Sequence, residues 1–337
     1  MIKIGIIGLG YWGPNLLRNF DHSNDFEVIY VCDKDVNALN KLRLNSKNKI
    51  KTNKISQILS DKSINAVAIS TPVKSHYEIA KKALSAGKHV FIEKPLADSS
   101  YKCEKLIELA KKKSLTIFVD HTFLYTEAVT KIKSIINNKG FGKLLYYDST
   151  RINLGLIQDD INVLWDLAVH DLSILNYISN LKPQEVSAVG HRHIKNKPET
   201  AAYLTIKYQN NFIAHINVNW LSPVKIRKTI LGGSNKMIVY NDLEPSDKLT
   251  IYNKGVNVVK NQNNSSNLIN YKIGDTLIPS LKNKEALSDA VQAFYKSIKI
   301  KGYTSKSSGN DGLKVVNILQ AANKSMAKNG KPMKVSR

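Results

Sequence analysis

The amino-acid sequence predicts an α/β protein of two domains, in which a parallel sheet with helices on both faces precedes an α+β domain with a large, mostly antiparallel, open sheet. With 337 residues, the chain is too long for one ordinary core. Apolar runs alternate with helical patterns up to residue 121, and from residue 122 several β-type stretches follow one another at short turns. These observations predict a boundary between residues 1–121 and 122–337, with the terminal helix packing back on the first domain.

The first domain is predicted from apolar runs that are short enough to be buried strands. These runs are Ile2–Gly8, Phe26–Cys32, Asn65–Thr71, His89–Ile92 and Thr116–Asp120. Helical patterns lie between them at Pro14–Phe20, Asp35–Leu44, His76–Ala86 and Ser99–Lys112. Pro14 suits the first turn of a helix and Gly87 suits the end of one, which supports the alternation of strand and helix.

The second domain is predicted to combine helices with consecutive strands. The helical patterns are Glu127–Asn137, Leu164–Ile178, Lys284–Lys299 and Asp311–Lys328. The β-type stretches are Leu144–Arg151, Glu185–His193, Ala202–Tyr208, Ile213–Leu221, Lys225–Leu231 and Lys236–Tyr240. The Asn- and Lys-rich stretch 253–272 is expected to be a surface excursion.

Composition and charge narrow the classes of function. Apolar residues make up 42% and charged residues 23%, which excludes a wholly disordered chain. The net charge of +23 attracts anions, but only six of the 50 basic residues are Arg and they are scattered, so no specific nucleic-acid site is expected. No run of eighteen apolar residues and no signal peptide is visible, and Cys32 and Cys103 fit neither a disulfide framework nor a zinc site. We therefore expect a cytoplasmic protein with no membrane segment and no metal.

A glycine-rich loop follows the first predicted strand and opens the first predicted helix. It matches the G-x-G-x-x-G pattern as Gly8-Leu9-Gly10-Tyr11-Trp12-Gly13. Gly8 permits a tight turn, Gly10 lets the backbone approach a pyrophosphate, and Gly13 lets helix and strand pack closely. The helix N-terminus offers N–H groups and partial positive charge to phosphates. The context predicts a Rossmann dinucleotide-binding domain, and a turn that merely needs glycine is the alternative.

Asp33 stands at the end of the second predicted strand, where an acidic side chain bridges the adenosine ribose hydroxyls of a dinucleotide. A carboxylate there repels a 2′-phosphate, and no Arg follows within five residues, so NAD is favoured over NADP. The alternative is that Asp33 caps the helix that follows.

Three further motifs indicate a family. They are Thr71-Pro72-Val73-Lys74-Ser75-His76, Glu93-Lys94-Pro95-Leu96 and Asp166-Leu167-Ala168-Val169-His170. Together with the glycine loop, this ordered set resembles the glucose–fructose oxidoreductase, inositol dehydrogenase and rhizopine catabolism family of nicotinamide-dependent sugar dehydrogenases. The resemblance covers nearly the whole chain and implies an oxidoreductase that acts on a sugar hydroxyl.

The resemblance implies roles for the residues of these motifs. Lys94 is expected between the nicotinamide ribose and the substrate, where it orients the reacting hydroxyl, and Pro95 is expected to follow a cis bond that aims it. Glu93 is expected on the nicotinamide side. The remaining cofactor-binding residues are expected to be Thr71, Pro72 and His76 in the groove and Tyr11 and Trp12 in the glycine loop.

Asp166 and His170 are four residues apart, so on a helix they share one face. Oxidation of an alcohol needs a base for the hydroxyl proton, and a histidine titrates near neutral pH. We expect His170 to be the general acid/base, Asp166 to stabilise its protonated form, and Lys94 to be the alternative proton carrier. The other interpretation of His170 is a buried structural histidine. We expect His121, His191, His193 and His215 to be structural or on the surface.

The chain resembles one branch of the family, the nucleotide-sugar 3-dehydrogenases of bacterial surface-polysaccharide biosynthesis. The stretches that carry this resemblance are 10–20, 151–155 and 165–168, although Val169 stands where that branch often has proline. It implies oxidation at C3 of a UDP-N-acetyl-hexosamine or its uronic acid, and a homodimer or homotetramer. Arg151 and Asn153 share one face of a strand, and we expect both to bind this anionic sugar. The alternatives are a surface Arg–acid pair and an edge-strand Asn.

Two other functions stay open at this point. One is a polyol or free-sugar dehydrogenase of the inositol dehydrogenase type, and the other is a non-catalytic NAD-binding sensor of the same fold. Because Lys94, Asp166 and His170 are all present, the sensor is the less favoured of the two.

Overall fold

The computed structural model describes residues 1–42, 49–260 and 267–336. The chain divides into two compact units, the first made of Met1–Tyr125 and Lys284–Asn317 and the second of Thr126–Asn283 and Ile318–Arg337. The sequence prediction placed everything after residue 121 in the second domain, whereas the structure assigns residues 284–317 to the first unit.

The first 125 residues form a parallel sheet with intervening helices. The strands are β1 (Ile2–Ile7), β2 (Phe26–Cys32), β3 (Ile50–Thr52), β4 (Ala66–Ile69), β5 (His89–Glu93) and β6 (Ile117–Asp120). The helices are α1 (Gly13–Asp21), α2 (Val36–Lys41), α3 (Ile55–Ser60), α4 (Val73–Ser85) and α5 (Ser100–Lys112). The strand order β3-β2-β1-β4-β5-β6 reverses between β1 and β4, and a ligand crevice is expected at the carboxyl ends of the strands at such a reversal.

Two short elements of the first unit, a strand and a helix, were not predicted from the sequence. Strand β3 is three residues long and its Ile50 is exposed, so it makes no apolar run, and the short helix α3 shows one fully buried side chain, Ile58. The helix predicted at Asp35–Leu44 is observed at Val36–Lys41, and its predicted end at Leu44 lies outside the described residues.

The rest of the chain adds an α+β region. Its helices are α6 (Glu127–Asn137), α7 (Val169–Ser179), α8 (Ala286–Lys299) and α9 (Gly309–Met326). Its strands are β7 (Leu144–Leu154), β8 (Pro183–His191), β9 (Ala201–Tyr208), β10 (Ile213–Asn219), β11 (Leu221–Gly233), β12 (Met237–Asn241), β13 (Leu249–Tyr252), β14 (Gly255–Lys260), β15 (Asn267–Lys272), β16 (Thr276–Leu277) and β17 (Met333–Lys334).

The second unit is built on a nine-stranded sheet in the order β16-β13-β12-β11-β7-β10-β9-β8-β17. Every neighbouring pair is antiparallel except β10 and β7, so the predicted mostly antiparallel sheet is confirmed. Along β9, Ala202, Leu204 and Ile206 are buried while Tyr203 is 49% exposed. This alternation shows one covered face and one open face, as a half-buried antiparallel strand requires.

An aromatic cluster explains why α8 belongs to the first unit. The ring of Phe294 on α8 stacks on Phe26 with centroids 5.8 Å apart and meets Phe20 and Phe91 edge to face. Such pairs bury large apolar rings in favourable geometries. The unit division falls within α9, whose Gly312 packs against the first unit's Val119.

Two predictions for the second domain are corrected by the structure, and a third is confirmed. The helix predicted at Leu164–Ile178 begins with a π-helical turn, Leu164–Ala168, before α7. The strand predicted at Ile213–Leu221 divides at Trp220 into β10 and β11. Stretch 253–272 is a surface excursion, as predicted: it contains the separate two-stranded β14–β15 ladder, on which Ile269 and Tyr271 are exposed, and residues 261–266 lie outside the described part.

Among residues 1–42, 49–260 and 267–336, no helix has the length and apolar character to cross a membrane.

Candidate active site

The glycine loop joins β1 to α1, as its sequence predicts. Gly8 has a φ of +99°, and a Cβ there would lie 2.6 Å from the carbonyl oxygen of Ser70. A Cβ on Gly13 would collide with the carbonyl oxygen of Gly8, so the helix start and the strand end touch at this point. A Cβ on Gly10 meets nothing within 4 Å, which leaves the backbone there open to an approaching group. Gly8 and Gly13 are thus required by the packing of the protein itself, whereas Gly10 is not.

Asp33, at the end of β2, is held against this loop by two backbone groups. Its Oδ2 accepts a hydrogen bond from Leu9 N at 2.5 Å, and its Oδ1 accepts one from Asp35 N at 2.8 Å. The cap of α2 is Asp35, whose Oδ1 accepts from Asn37 N at 2.9 Å, so capping is not the role of Asp33. The half-buried carboxylate of Asp33 is therefore fixed in place and keeps acceptor capacity for a ribose diol.

The loop and Asp33 together fit a dinucleotide. The open side of Gly10 suits a pyrophosphate, the N-terminus of the nine-residue helix α1 follows directly, and the carboxylate of Asp33 stands where ribose hydroxyls bind. In the same loop the Tyr11 side chain is 84% exposed, and the buried indole N–H of Trp12 lies close enough to Asp120 to lower the pKa of that carboxyl.

His76 was expected to line the cofactor groove, but its ring is fully buried. Its Nδ1 lies 2.9 Å from the carbonyl oxygen of Pro95, and its Nε2 lies 2.8 Å from that of Thr71. The ring therefore lies between the backbone carbonyl groups of two loops at the carboxyl edge of the sheet, where a neutral imidazole can donate to one of them, and it supports the groove from inside. Pro72 precedes the first residue of α4, and the Lys94–Pro95 bond is cis, as expected from the family resemblance.

Glu93, Lys94 and Asp120 meet at the ends of β5 and β6. Glu93 is the register partner of Asp120, and Lys94 is half-buried beside them. Burial and the adjacent Asp120 hold the pKa of Glu93 well above its ordinary value, and burial also raises the pKa of Asp120. The ammonium of Lys94 acts on both groups in the opposite direction. Because Trp12 also reaches Asp120, the glycine loop and the Glu93–Lys94–Pro95 motif converge on one place.

His121, the residue after β6, is fully buried, as expected for a structural histidine. Burial lowers its pKa to about 4, with Asp311 acting in the opposite direction and Lys94 in the same direction. The imidazole is therefore neutral at physiological pH.

In the second unit, Asp166 is oriented by a residue that the sequence did not single out. Asp166 lies in the π-helical turn, and its Oδ2 accepts a hydrogen bond from Trp220 Nε1 at 3.0 Å. His170 lies in the first turn of α7 and is half-buried. The pair therefore spans the junction between a π turn and an α-helix rather than one regular helix, and a π turn of this kind is frequent at functional sites.

The position of Trp220 in the sequence indicates that its side chain contacts a polar group. It stands alone between β10 and β11 and is 1% exposed. A buried Trp needs an acceptor for its indole N–H, so a Trp at a strand break points to a nearby polar group.

Arg151 and Asn153 have different surroundings. Arg151 was expected to clamp an anionic substrate, but its Nε donates to Asp171 Oδ2 at 2.8 Å and its Nη2 donates to Asp171 Oδ1 at 3.2 Å. The two side chains are only 4% and 1% exposed, so this is a buried ion pair and not a surface clamp. Asn153 is half-buried, and its amide and the ring of Trp220 both lie against Gly155. Asn153 thus remains next to the residue that orients Asp166.

Comparison with known proteins is consistent with this geometry. The model of an oxidoreductase family with an NAD-binding Rossmann fold matches residues 2–121, and the model of the GFO/IDH/MocA C-terminal domain matches residues 129–239. The chain belongs to the GFO/IDH/MocA family of oxidoreductases. Its first domain is accordingly an NAD-binding Rossmann domain.

Two curated relatives of this GFO/IDH/MocA chain have named activities. Inositol 2-dehydrogenase of Salmonella typhimurium is 27% identical over 188 residues, which cover 53% of this chain and 55% of that protein. UDP-N-acetylglucosamine 3-dehydrogenase of Acidithiobacillus ferrooxidans is 26% identical over 198 residues, which cover 58% of this chain and 61% of that protein. The chain therefore spans little more than half the length of these relatives.

Solved structures match the fold over nearly the whole chain. The Acidithiobacillus ferrooxidans enzyme has a TM-score of 0.77 at 21% identity, covering 97% of this chain and 98% of that one. An oxidoreductase from Agrobacterium radiobacter, in complex with NAD+, L-tartaric acid and magnesium, has a TM-score of 0.80 at 16% identity, covering 99% and 98%.

Proposed function

We propose that this chain is an NAD-dependent oxidoreductase that transfers a hydride between nicotinamide and a sugar hydroxyl, at C3 of a UDP-N-acetyl-hexosamine or its uronic acid. The observation that carries the proposal is the convergence of the glycine loop with Lys94. Trp12 of the loop and Lys94, the lysine that the family resemblance assigns to the reacting hydroxyl, both act on the same buried carboxyl group, Asp120.

The chain's own residues divide the work of alcohol oxidation. When bound, NAD would supply the hydride acceptor, and the glycine loop and Asp33 would hold its adenosine diphosphate end. Lys94 stabilises negative charge that develops on the reacting oxygen. His170 accepts the hydroxyl proton, and Asp166, oriented by Trp220, favours the protonated form of that histidine.

The choice of NAD over NADP follows from the geometry of Asp33. Its carboxylate is fixed by two backbone N–H groups and cannot readily turn away from an incoming 2′-phosphate. A buried or half-buried negative charge facing a phosphate is strongly unfavourable. We therefore assign NAD as the physiological cofactor.

Support for the nucleotide-sugar substrate comes from charge and from one relative. The net charge of +23 attracts a substrate that carries a diphosphate and a carboxylate. The UDP-N-acetylglucosamine 3-dehydrogenase of Acidithiobacillus ferrooxidans matches over 198 residues. Asn153 is the neutral polar group that we assign to substrate binding.

A polyol or free-sugar dehydrogenase is the second candidate, and the position of Arg151 favours it. The buried pair with Asp171 removes the one arginine that was expected to clamp an anionic substrate. The inositol 2-dehydrogenase of Salmonella typhimurium is also similar to this chain, to the same degree as the UDP-sugar enzyme.

A substrate panel tests both candidates. The purified protein is mixed with NAD and with UDP-sugars, UDP-sugar uronic acids, free hexoses or inositols, and the absorbance of reduced nicotinamide is followed. We expect turnover with a UDP-N-acetyl-hexosamine or its uronic acid, and a 3-keto product by mass spectrometry and NMR. Turnover with inositols alone would overturn the nucleotide-sugar assignment, and no turnover with any member while NAD binds would favour the sensor.

Two variants test the assigned roles. Lys94→Ala should lower turnover while NAD affinity stays within a few-fold, and His170→Asn should lower turnover by roughly 10²–10⁴-fold and flatten its pH profile. Lys82→Ala, at an exposed lysine of α4, is the matched control and should retain parental turnover. If both losses multiply in the double variant, the two residues do not serve one proton-transfer step.

We further propose that the protein works in the cytoplasm, in bacterial surface-polysaccharide biosynthesis, as a homodimer or homotetramer formed through the open face of the nine-stranded sheet. On that face Val189 and Tyr203 are cross-strand partners and are 53% and 49% exposed, which gives an apolar patch. Light scattering should give a mass of two or four chains, and Tyr203→Lys should reduce it. A monomeric mass at micromolar concentration would exclude this assembly.

A further inference from the structure

Two acidic side chains end neighbouring strands of the parallel sheet in the first unit. Glu93 closes β5, Asp120 closes β6, and the two residues are register partners. Neighbouring strands lie about 4.8 Å apart, and register partners place their side chains on the same face. The two carboxyl groups therefore stand side by side at the carboxyl edge of the sheet, directly before Lys94 and His121 in the chain.

These carboxyl groups lack donors on the oxygens that are shielded from water. Asp120 is 1% exposed, and its Oδ1 accepts a hydrogen bond from Thr122 Oγ1 at 2.7 Å. Within the part of the chain that the structure describes, nothing donates to Asp120 Oδ2 or to Glu93 Oε1, and both atoms are buried. Buried oxygens of this kind are normally hydrogen-bonded. Two carboxylates in one buried place cannot both stay ionised, and a proton between them supplies the missing donor.

The charged and titratable groups around the pair fix its net charge. Burial raises the pKa of Asp120, and the Trp12 indole and the Lys94 ammonium act in the opposite direction. His121 is neutral because burial lowers its pKa to about 4. The phenol of Tyr125 also faces Asp120, and burial raises its pKa above the physiological range. Lys94 is a cation that acts on both carboxyl groups, and one negative charge on the pair balances it. Balanced charges cost far less to bury than an unpaired one.

We propose that Glu93 and Asp120 share one proton and so keep a single negative charge beside the Lys94 ammonium, which makes them positioning residues for Lys94. Glu93 carries the proton and donates it to the Asp120 carboxylate. Loss of that proton would place two negative charges beside the lysine and draw its ammonium away from the substrate hydroxyl. Loss of both charges would remove the counter-charge that the pair supplies to the ammonium. The proposal rests on the proposed function, because it assumes that Lys94 acts on the reacting hydroxyl.

The first test is a carboxyl ¹³C NMR titration of the unliganded protein, with signals assigned by Glu93→Gln and Asp120→Asn. We expect one of the two carboxyl groups to keep its proton to a pH well above the ordinary range of a carboxylic acid, while the other ionises at a lower pH. In Asp120→Asn the midpoint for Glu93 should fall, because the neighbouring negative charge is gone. Independent titration of both groups below about pH 5 would overturn the proposal.

The second test measures turnover in Glu93→Gln, in Asp120→Asn and in the double variant. Each single variant keeps one carboxyl group that can ionise, and the double variant keeps none. Turnover should fall by less than about five-fold in each single variant and by more than about 100-fold in the double variant, with KM for NAD changed only a few-fold. Glu104→Gln, at an exposed position of α5, is the control and should leave turnover unchanged. A double loss equal to the product of the single losses would contradict a shared charge.

The NMR titration and the turnover measurements can fail independently, so failure of the shared proton can be told apart from failure of the proposed function. The titration uses neither NAD nor a substrate, so it decides the shared proton even if the substrate panel yields no turnover or the double variant does not fold. If the titration fails while Lys94→Ala still abolishes turnover, only the shared proton is refuted.

Discussion

Removing the charge of Asp171 should destabilise the second unit severely, and this tests whether Arg151 is structural. The Arg151 guanidinium makes two hydrogen bonds to Asp171, at 2.8 and 3.2 Å, and Ser149 Oγ donates a third at 2.8 Å. Both charged side chains are almost entirely buried. Asp171→Asn keeps the shape of the side chain but removes the carboxylate that is hydrogen-bonded to the guanidinium, and the acid that still acts on Arg151, Asp242, already pairs with Arg227.

The size of the effect follows from that burial. Breaking one partner of a buried ion pair costs about 3–5 kcal/mol, because the other charge stays buried and unpaired. A typical domain has only about 5–15 kcal/mol of stability, so the variant should unfold at much lower denaturant concentration. Replacing both residues, as in Arg151→Met with Asp171→Leu, should recover the whole of that loss and give a stability between that of the parent protein and about 1–4 kcal/mol above it.

Urea unfolding followed by circular dichroism measures these differences, with backbone hydrogen exchange at β7 to localise them. The matched control is Lys207→Ala, which breaks an exposed ion pair with Glu185 and should cost at most about 1 kcal/mol. If Asp171→Asn costs no more than the control, the buried pair does not stabilise the fold. If Arg151→Met instead raises KM for a UDP-sugar without loss of stability, Arg151 is the substrate clamp after all.

Three further outcomes are expected. Gly10→Val should abolish NAD binding with little change in the unfolding temperature, since a Cβ at this position meets nothing within 4 Å. Gly13→Ala should instead destabilise the fold, because its Cβ collides with the carbonyl oxygen of Gly8. Normal NAD affinity in Gly10→Val would show that the loop is only a turn. Asp33→Ala should weaken NAD binding by about 1.5–3 kcal/mol and narrow its advantage over NADP, as measured by calorimetry, and equal affinities in the parent protein would contradict this. The pKa of His121 is about 4 in the folded protein and about 6.5 in the unfolded chain. As the pH falls from about 6.5 to about 4, the unfolded chain therefore binds a proton at His121 that the folded protein does not, and the free energy of unfolding should drop by about 3 kcal/mol. His121→Phe should remove that part of the pH dependence, and parallel stability curves for the two proteins would refute the assignment.

The sequence by itself determined the architecture of the first domain and the position of its cofactor loop. Buried parallel strands are continuous apolar runs, and Gly8 and Gly13 are needed where a strand turns tightly into a helix, so both signals are local in the chain. The antiparallel character of the second sheet was also predictable, because its strands follow one another at short turns. Strand β3 was not, since three residues with an exposed Ile50 give no hydrophobic pattern.

What only the tertiary structure decided were the partners of polar side chains. Arg151 and Asp171, and likewise Trp220 and Asp166, come from different elements, and no periodicity relates them. Whether an arginine faces solvent or an acid therefore depends on which helix covers its strand. The same holds for Glu93 and Asp120, which are 27 residues apart and become neighbours only because β5 and β6 pair in register. Local sequence patterns determine which backbone segments form, whereas the charge state of a buried group depends on what the fold packs against it.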